Sequence, residues 1–140
     1  MSQQENIKVQ QQFGEAVNSG NLSALRDLVA PDAVDHDPAP NQGLGPEGFI
    51  TFFTMMRTAF PDLKIAVEHM VADEDNVSFA YRVTGTHSGD FMGFPATGRQ
   101  INIRGMQITR FENGKQVERW GSSNELGLLQ QIGAVPKTNA

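Results

Sequence analysis

The sequence predicts an α+β domain, with helices first and then a run of antiparallel strands folded against them. Three observations carry this. The apolar spacing is helical before Pro61 and alternates after it. Asn113-Gly114 stands between two alternating runs, a strong two-residue hairpin signal. A chain of 140 residues is enough for one domain and too short for two ordinary ones. A single domain over residues 1–140 is expected, with its core over about residues 5–134.

The elements follow in order. Val9, Phe13, Ala16 and Val17 fall on one helical face, which Gly20 ends. Asn21 can cap a shorter second helix carrying Leu22, Leu25, Leu28 and Val29, stopped by Pro31. A short segment, Ala33 to Asp37, comes next, and Pro38 to Gly45 is a loop by composition. Pro46 suits the first turn of a third helix, whose face is bulky: Phe49, Phe52, Phe53 and Met56. Phe60-Pro61 closes it.

Beyond Pro61, Leu63, Ile65, Val67, His69 and Val71 alternate with more polar neighbours, which predicts a strand with one buried face and a half-core His69. Asp73 to Asn76 is a turn, Val77 to Thr86 a second strand, and His87 to Gly98 a long loop. Gln100 to Phe111 and Gln116 to Ser122 are the third and fourth strands. Glu125 to Ile132 is a last helix with Leu126, Leu129 and Ile132 inward and Gly133 as its stop. From Val135 on the chain reads as a tail. Such a sheet, curled around the helices, leaves a cone whose open mouth suits a small molecule.

Composition excludes several functions. With 11 Lys plus Arg against 16 Asp plus Glu the net charge is -5, and no basic patch suits nucleic acid. The absence of cysteine removes disulfides, thiolate metal sites and a cysteine nucleophile. His36, His69 and His87 show no zinc spacing, and there is no GxSxG elbow, so neither a metal nor a serine nucleophile is expected. No run approaches the roughly 18 apolar residues needed to span a bilayer. The first residues lack a basic start and apolar run, which makes a cytoplasmic location the expectation and the two glycosylation sequons chance matches.

Four places could carry chemistry. His36 stands between Asp35 and Asp37, which can hold an imidazole charged or oriented, although three adjacent polar residues also describe a solvated turn. His87 ends a strand, where it can enter a pocket or bond the backbone. On the last strand Glu118, Trp120, Ser122 and Asn124 share a face too polar for a dry core, which reads as a semi-polar cavity wall or an exposed interface. On the third strand Ile101, Ile103, Gly105, Gln107 and Thr109 share a face, and Gln107 can bond a ligand carbonyl or a cross-strand partner.

Taken together, His87 to Arg99 (HSGDFMGFPATGR), Arg110 to Trp120 (RFENGKQVERW) and Gly127 to Gly133 (GLLQQIG) resemble the SnoaL-like polyketide cyclases, also called predicted ester cyclases. Asp35 to Pro38 and Phe60 to Leu63 fit the same pattern, and the resemblance runs from Phe13 to Gly133. It implies an NTF2-like cone, a curved antiparallel sheet wrapped around N-terminal helices with an internal cavity, the fold of ketosteroid isomerase and limonene epoxide hydrolase. It also implies an intramolecular aldol reaction without a cofactor, a carboxylate taking a proton beside a carbonyl. In the family pattern W-x-x-x-D-x-x-G-L-L that carboxylate stands four residues after the Trp; here the position is Asn124, with Gly127-Leu128-Leu129 in register. Ala80 is a second departure, standing where many members carry Arg.

An amide cannot act as a general base near neutral pH. The expectation is therefore a cofactor-free cavity enzyme acting beside a carbonyl of an apolar small molecule, by aldol cyclisation or a related isomerisation or hydration. His36 and His87 are the expected acid and base. Asn124 and Gln107 would orient a carbonyl, and Trp120, Phe53, Tyr81, Phe91 and Glu118 would wall the pocket. The alternatives are a binding protein that keeps the cone without its base, and a scaffold domain. The resemblance also implies a homodimer or higher oligomer; from charge and hydropathy, no nucleic-acid or membrane partner is expected.

Overall fold

The computed structural model describes residues 2–136; of the expected tail, Lys137 to Ala140 lie outside them. Helix α1 (Gln3–Ser19) opens with a capping box in which Ser2 Oγ accepts from the Glu5 N–H and Glu5 accepts from the Ser2 N–H. It ends at Gly20, whose φ of 80° suits glycine. A 3₁₀ turn (Leu22–Ala24) and a one-turn helix α2 (Leu25–Leu28) follow. The expected second helix is therefore shorter. The Asn21 side chain makes no cap bond, the helix stops at Leu28, and Val29 and Pro31 lie inside strand β1 (Val29–Asp35). An edge strand tolerates Pro31 because one side of its backbone has no ladder partner.

Helix α3 (Gly45–Ala59) has Pro46 in its first turn and buries Phe49 and Met56, with Phe52 and Phe53 half-buried. Strands β2 (Lys64–Ala72), β3 (Asn76–Thr86), β4 (Gln100–Glu112) and β5 (Lys115–Ser123) form an antiparallel meander, and β1 adds parallel to β5, giving the order β1-β5-β4-β3-β2. Asn113 and Gly114 both take positive φ, 51° and 75°, the backbone that a tight hairpin with right-handed strand twist needs.

Two bulges shape the sheet. In β2, Val67 faces Tyr81 and His69 faces Ala80, so Glu68 has no opposite number. The single buried face expected for this strand is broken there: Ile65 turns partly inward before the bulge, Met70 and Ala72 after it, and His69 and Val71 are exposed. In β5, Gln116 faces Phe111 and Glu118 faces Arg110, so Val117 is the extra residue. Strands β3 and β4 alternate without a break, burying Val77, Phe79, Tyr81 and Val83 on one and Ile101, Ile103 and Thr109 on the other.

Helix α1 lies against β2 and β3, and α3 against β1. After β5 the chain turns at Asn124 into α4 (Glu125–Gln131). Leu126, which the spacing places inward, is 61% exposed; Leu128 and Ile132, one helical turn apart, are the buried pair. No helix among the described residues is long and apolar enough to cross a membrane.

Candidate functional site: a cavity with one polar wall

The concave side of the sheet and the helices enclose a cavity of about 670 Å³. Its helical wall is aromatic. Phe13 meets Phe49 and Phe53 edge to face, with ring centres 5.8 and 6.0 Å apart, and Phe52 and Met56 extend the apolar surface. Phe91 and Met92, from the loop after β3, add to the lining.

The sheet wall is polar around Arg119. Its Nη1 donates to both oxygens of Asp35, at 3.0 and 3.1 Å, and its Nε donates to Gln107 Oε1 at 3.1 Å. Nη2 is engaged by neither Asp35 nor Gln107. The side chains of Arg119 and Asp35 are only 18% and 5% exposed, so the pair is largely desolvated. Asp35 also accepts from the Asp37 N–H and from Gln42 Nε2, and Gln107 Nε2 donates to Thr109 Oγ1. A buried ion pair is tolerated when further hydrogen bonds of this kind surround it.

Tyr81 lies beside this cluster. Burial pushes its phenol pKa up; the charge of Arg119 opposes the shift, while Asp35 and Glu125 add to it. Two glycines make the arrangement sterically possible. Gly105 faces Tyr81 across the ladder, and a Cβ there would collide with the phenol ring. At Gly121 a Cβ would stand 2.5 Å from Arg119 Nη2. The missing side chains are the space that the two polar groups occupy.

The expected site residues divide between two places. Phe53, Tyr81, Phe91 and Gln107 line the cavity. Trp120 and Glu118 do not; they face outward, which reverses the side assigned to this strand. The β5 residues that line the cavity are Gln116, Arg119, Gly121, Ser122 and Ser123, with Arg119 inside because Asp35 and Gln107 offer the guanidinium partners that the sequence does not display. His36 is outside too: its ring stacks on Trp120 at 4.7 Å and its Nε2 lies 2.7 Å from Glu118 Oε2. The strand-like alternation of Asp35, His36 and Asp37 sends both carboxylates to the cavity and the imidazole away from it.

His87 is wholly buried behind the wall, against Phe60 at 5.6 Å, and does not line the cavity. Its Nδ1 accepts from the Thr97 N–H, which puts the proton of the neutral ring on Nε2, an atom with no partner among the described residues. This histidine ties the two ends of its loop together. Asn124 likewise serves the structure, because its Oδ1 accepts from the Gly127 N–H at 2.9 Å and caps α4. A Cβ on Gly127 would run into that amide.

Arg119, Asp35, Gln42 and Glu125 are among the cavity groups that the sequence does not single out as site residues in their own right. The only local signal for Asp35 was its place in the Asp35-His36-Asp37 triplet. A second groove, of about 480 Å³, lies by Asp62 and Gln131, but Asp62 already accepts from the Thr86 N–H and hydroxyl, and Gln131 is paired with the Asn102 backbone. Among the described residues, no group of three or more His, Asp or Glu side chains is placed to hold a metal ion.

Comparison with known proteins adds to this geometry. A family model described as SnoaL-like polyketide cyclase matches residues 7–132. The aklanonic acid methyl ester cyclase DauD of Streptomyces sp. (strain C5) is 28% identical over 126 residues, covering 85% of this chain and 76% of that protein. Among solved structures, IdmH from Streptomyces antibioticus, provisionally assigned as a polyketide cyclase, superposes with a TM-score of 0.80 at 34% identity over 91% of this chain and 98% of that one. AclR from Streptomyces galilaeus, provisionally assigned as a hydroxylase, gives 0.85 at 30% identity over 98% and 86%.

Proposed function

This chain belongs to the SnoaL-like polyketide cyclase family, and from that premise we propose that it is a cofactor-independent cyclase closing a ring in an apolar, carbonyl-bearing small molecule by intramolecular aldol addition. The observation that carries the reading is the buried Asp35–Arg119–Gln107 cluster, with Tyr81, set in an otherwise apolar cavity. The aromatic helical wall takes the hydrocarbon part of the substrate. A substrate carbonyl oxygen meets Arg119 Nη2 and the Tyr81 hydroxyl. As a proton leaves the neighbouring carbon, negative charge builds on that oxygen, and donors already aimed at it bind the enolate more strongly than the ketone. Asp35 and Gln107 hold the guanidinium in place, so it need not reorganise during the step.

His36 and His87 lie off the cavity and take no part in this mechanism. Phe53, Phe91, Tyr81 and Gln107 are retained as substrate-contacting groups. A second reading, binding without turnover, is favoured by one fact: the family position of the carboxylate is Asn124, engaged in capping. One assay separates the two. The protein is incubated with aklanonic acid methyl ester, the compound in the relative's name, in chelator-treated buffer and followed by liquid chromatography with mass detection. Turnover yields a product of unchanged mass, and Arg119→Met lowers kcat by about 10²- to 10³-fold. Saturable binding without product selects the second reading.

The enzyme is further expected to act in the cytoplasm as a homodimer. Val71, Met106, Ile108 and Trp120 form an exposed apolar patch on the convex side of the sheet, suited to a second copy.

A further inference from the structure

Aldol closure needs a group to take the first proton, and neither expected histidine reaches the cavity. We propose that Glu125 is that general base, an assignment that rests on the cyclase reading above.

Four carboxylates line the cavity: Glu15, Asp35, Asp37 and Glu125. Asp35 already accepts from Arg119, Gln42 and the Asp37 N–H, so both of its oxygens are occupied. Asp37 Oδ2 accepts from the Gly121 N–H at 2.8 Å, a bond that ties the β1 end to β5. Glu15 stands on α1, which lies against β2 and β3 rather than against the strand that holds Arg119. Glu125 alone follows on β5, the strand that holds Arg119, standing two residues past its end at Ser123, which also lines the cavity, and its carboxylate has no hydrogen bond or ion pair among the described residues.

Local geometry explains how it gets there. The chain leaves β5 at Ser123, and the Asn124 amide folds back to cap the Gly127 N–H. With its amide so engaged, position 124 does not line the cavity and the next residue does. The acid that the family pattern has four residues after the tryptophan is here supplied five residues after it.

The reaction balances without a co-reactant. The carboxylate takes a proton from the carbon beside one carbonyl, and the C–H electron pair passes into the enolate held by Arg119 and Tyr81. The enolate carbon attacks a second carbonyl carbon and forms the C–C bond. The alkoxide so made recovers the proton from the Glu125 carboxylic acid. Substrate and product are isomers. Glu125 is solvent-exposed, so its proton can also exchange with water.

The test uses the full chain and aklanonic acid methyl ester in D₂O, measuring ring closure and deuterium entry beside the carbonyl. Glu125→Gln should lower kcat and deuterium entry together by about 10²- to 10⁴-fold, with KM within about threefold of the parent. Glu125→Asp should recover part of that loss, because it restores a carboxylate one methylene shorter. Asn124→Ser, which keeps a capping oxygen, should stay within about threefold of the parent in kcat. A Glu125→Gln protein that cyclises at the parent rate overturns the base assignment and leaves the cyclase reading intact. A parent protein that neither cyclises the compound nor exchanges its hydrogens overturns both. A raised KM with unchanged kcat in Glu125→Gln makes the residue a binding group and also overturns the assignment.

Discussion

Strand β5 carries an acid–base cluster on each of its faces, and the two differ in what surrounds them. Inside, Arg119 is held by Asp35 and Gln107, with side-chain exposures of 18% and 5% for the ion pair. Outside, Glu118 bridges His36 and Arg110 at 2.7 and 2.6 Å, and Trp120 stacks on the imidazole. The distances are similar and the environments are not. Water and salt screen the outer cluster, whereas the inner one stands in a low-dielectric cavity where each charge depends on its partner. In sequence, a histidine between acids is the more reactive-looking constellation. The structure gives the cavity to an arginine whose partner lies 84 residues away in sequence.

The sharpest way to break this contrast is to remove the inner cation. Arg119→Leu leaves Asp35 buried without its partner and should lower unfolding stability by about 3–5 kcal/mol in urea titration. Charge removal on the outer face at Arg110 should stay under about 1 kcal/mol. Equal losses at the two positions would contradict the contrast.

Gly105→Ala comes next. Its Cβ meets the Tyr81 ring, so the ring must move, and overpacking of this kind costs about 1–3 kcal/mol. The same variant should shift the phenol titration seen by ultraviolet absorbance, because Tyr81 leaves the environment in which burial holds its pKa up. Arg104 offers the matching outer position on the same strand: its side chain is 60% exposed, and it should accept alanine within about 1 kcal/mol.

A third experiment concerns the outer patch itself. Ile108 and Trp120 are cross-strand partners, and on the proposed dimer Ile108→Lys should shift sedimentation toward the monomer while leaving the proposed cavity turnover in place. A dimer unaffected by this change removes the patch from the interface.

The smallest effect is electrostatic. The bond to His36, followed by that to Arg110, holds the Glu118 carboxyl below its ordinary pKa. A depressed acid contributes stability above its unfolded value and loses it as pH falls through the folded one. Glu118→Gln should therefore be slightly less stable than the parent at neutral pH, and the difference should close in the acid range. High salt should shrink it as well. A difference that grows on acidification would show that Glu118 is not stabilised by these partners.

Much of the fold was legible from spacing. The change of period at Pro61, the Asn113-Gly114 turn and the alternation of β4 are local properties, and local propensity decided them. In the strands, spacing and structure part at the bulges. The alternation of β2 continues through Glu68 in the sequence, and nothing in Val67-Glu68-His69 says that one residue will be left unpaired. The same holds at Val117 in β5. A bulge is set by the pairing with the next strand, and one slipped residue exchanges the two faces beyond it. Leu126 was misplaced because a seven-residue helix has too few turns for its period to outweigh the cap that orients it.

Sequence alone determined the α+β order and the hairpin at Asn113-Gly114. It determined equally that Glu118 and Trp120 share one face of β5 and that Arg119 stands on the other. Only the tertiary structure decided which of those faces lies inside. Period two is symmetric between the faces of a sheet, and burial of a charged face is allowed only where distant residues satisfy it. Asp35, Gln107 and the space left by Gly105 and Gly121 do so here, and they meet only when the sheet has closed over the helices.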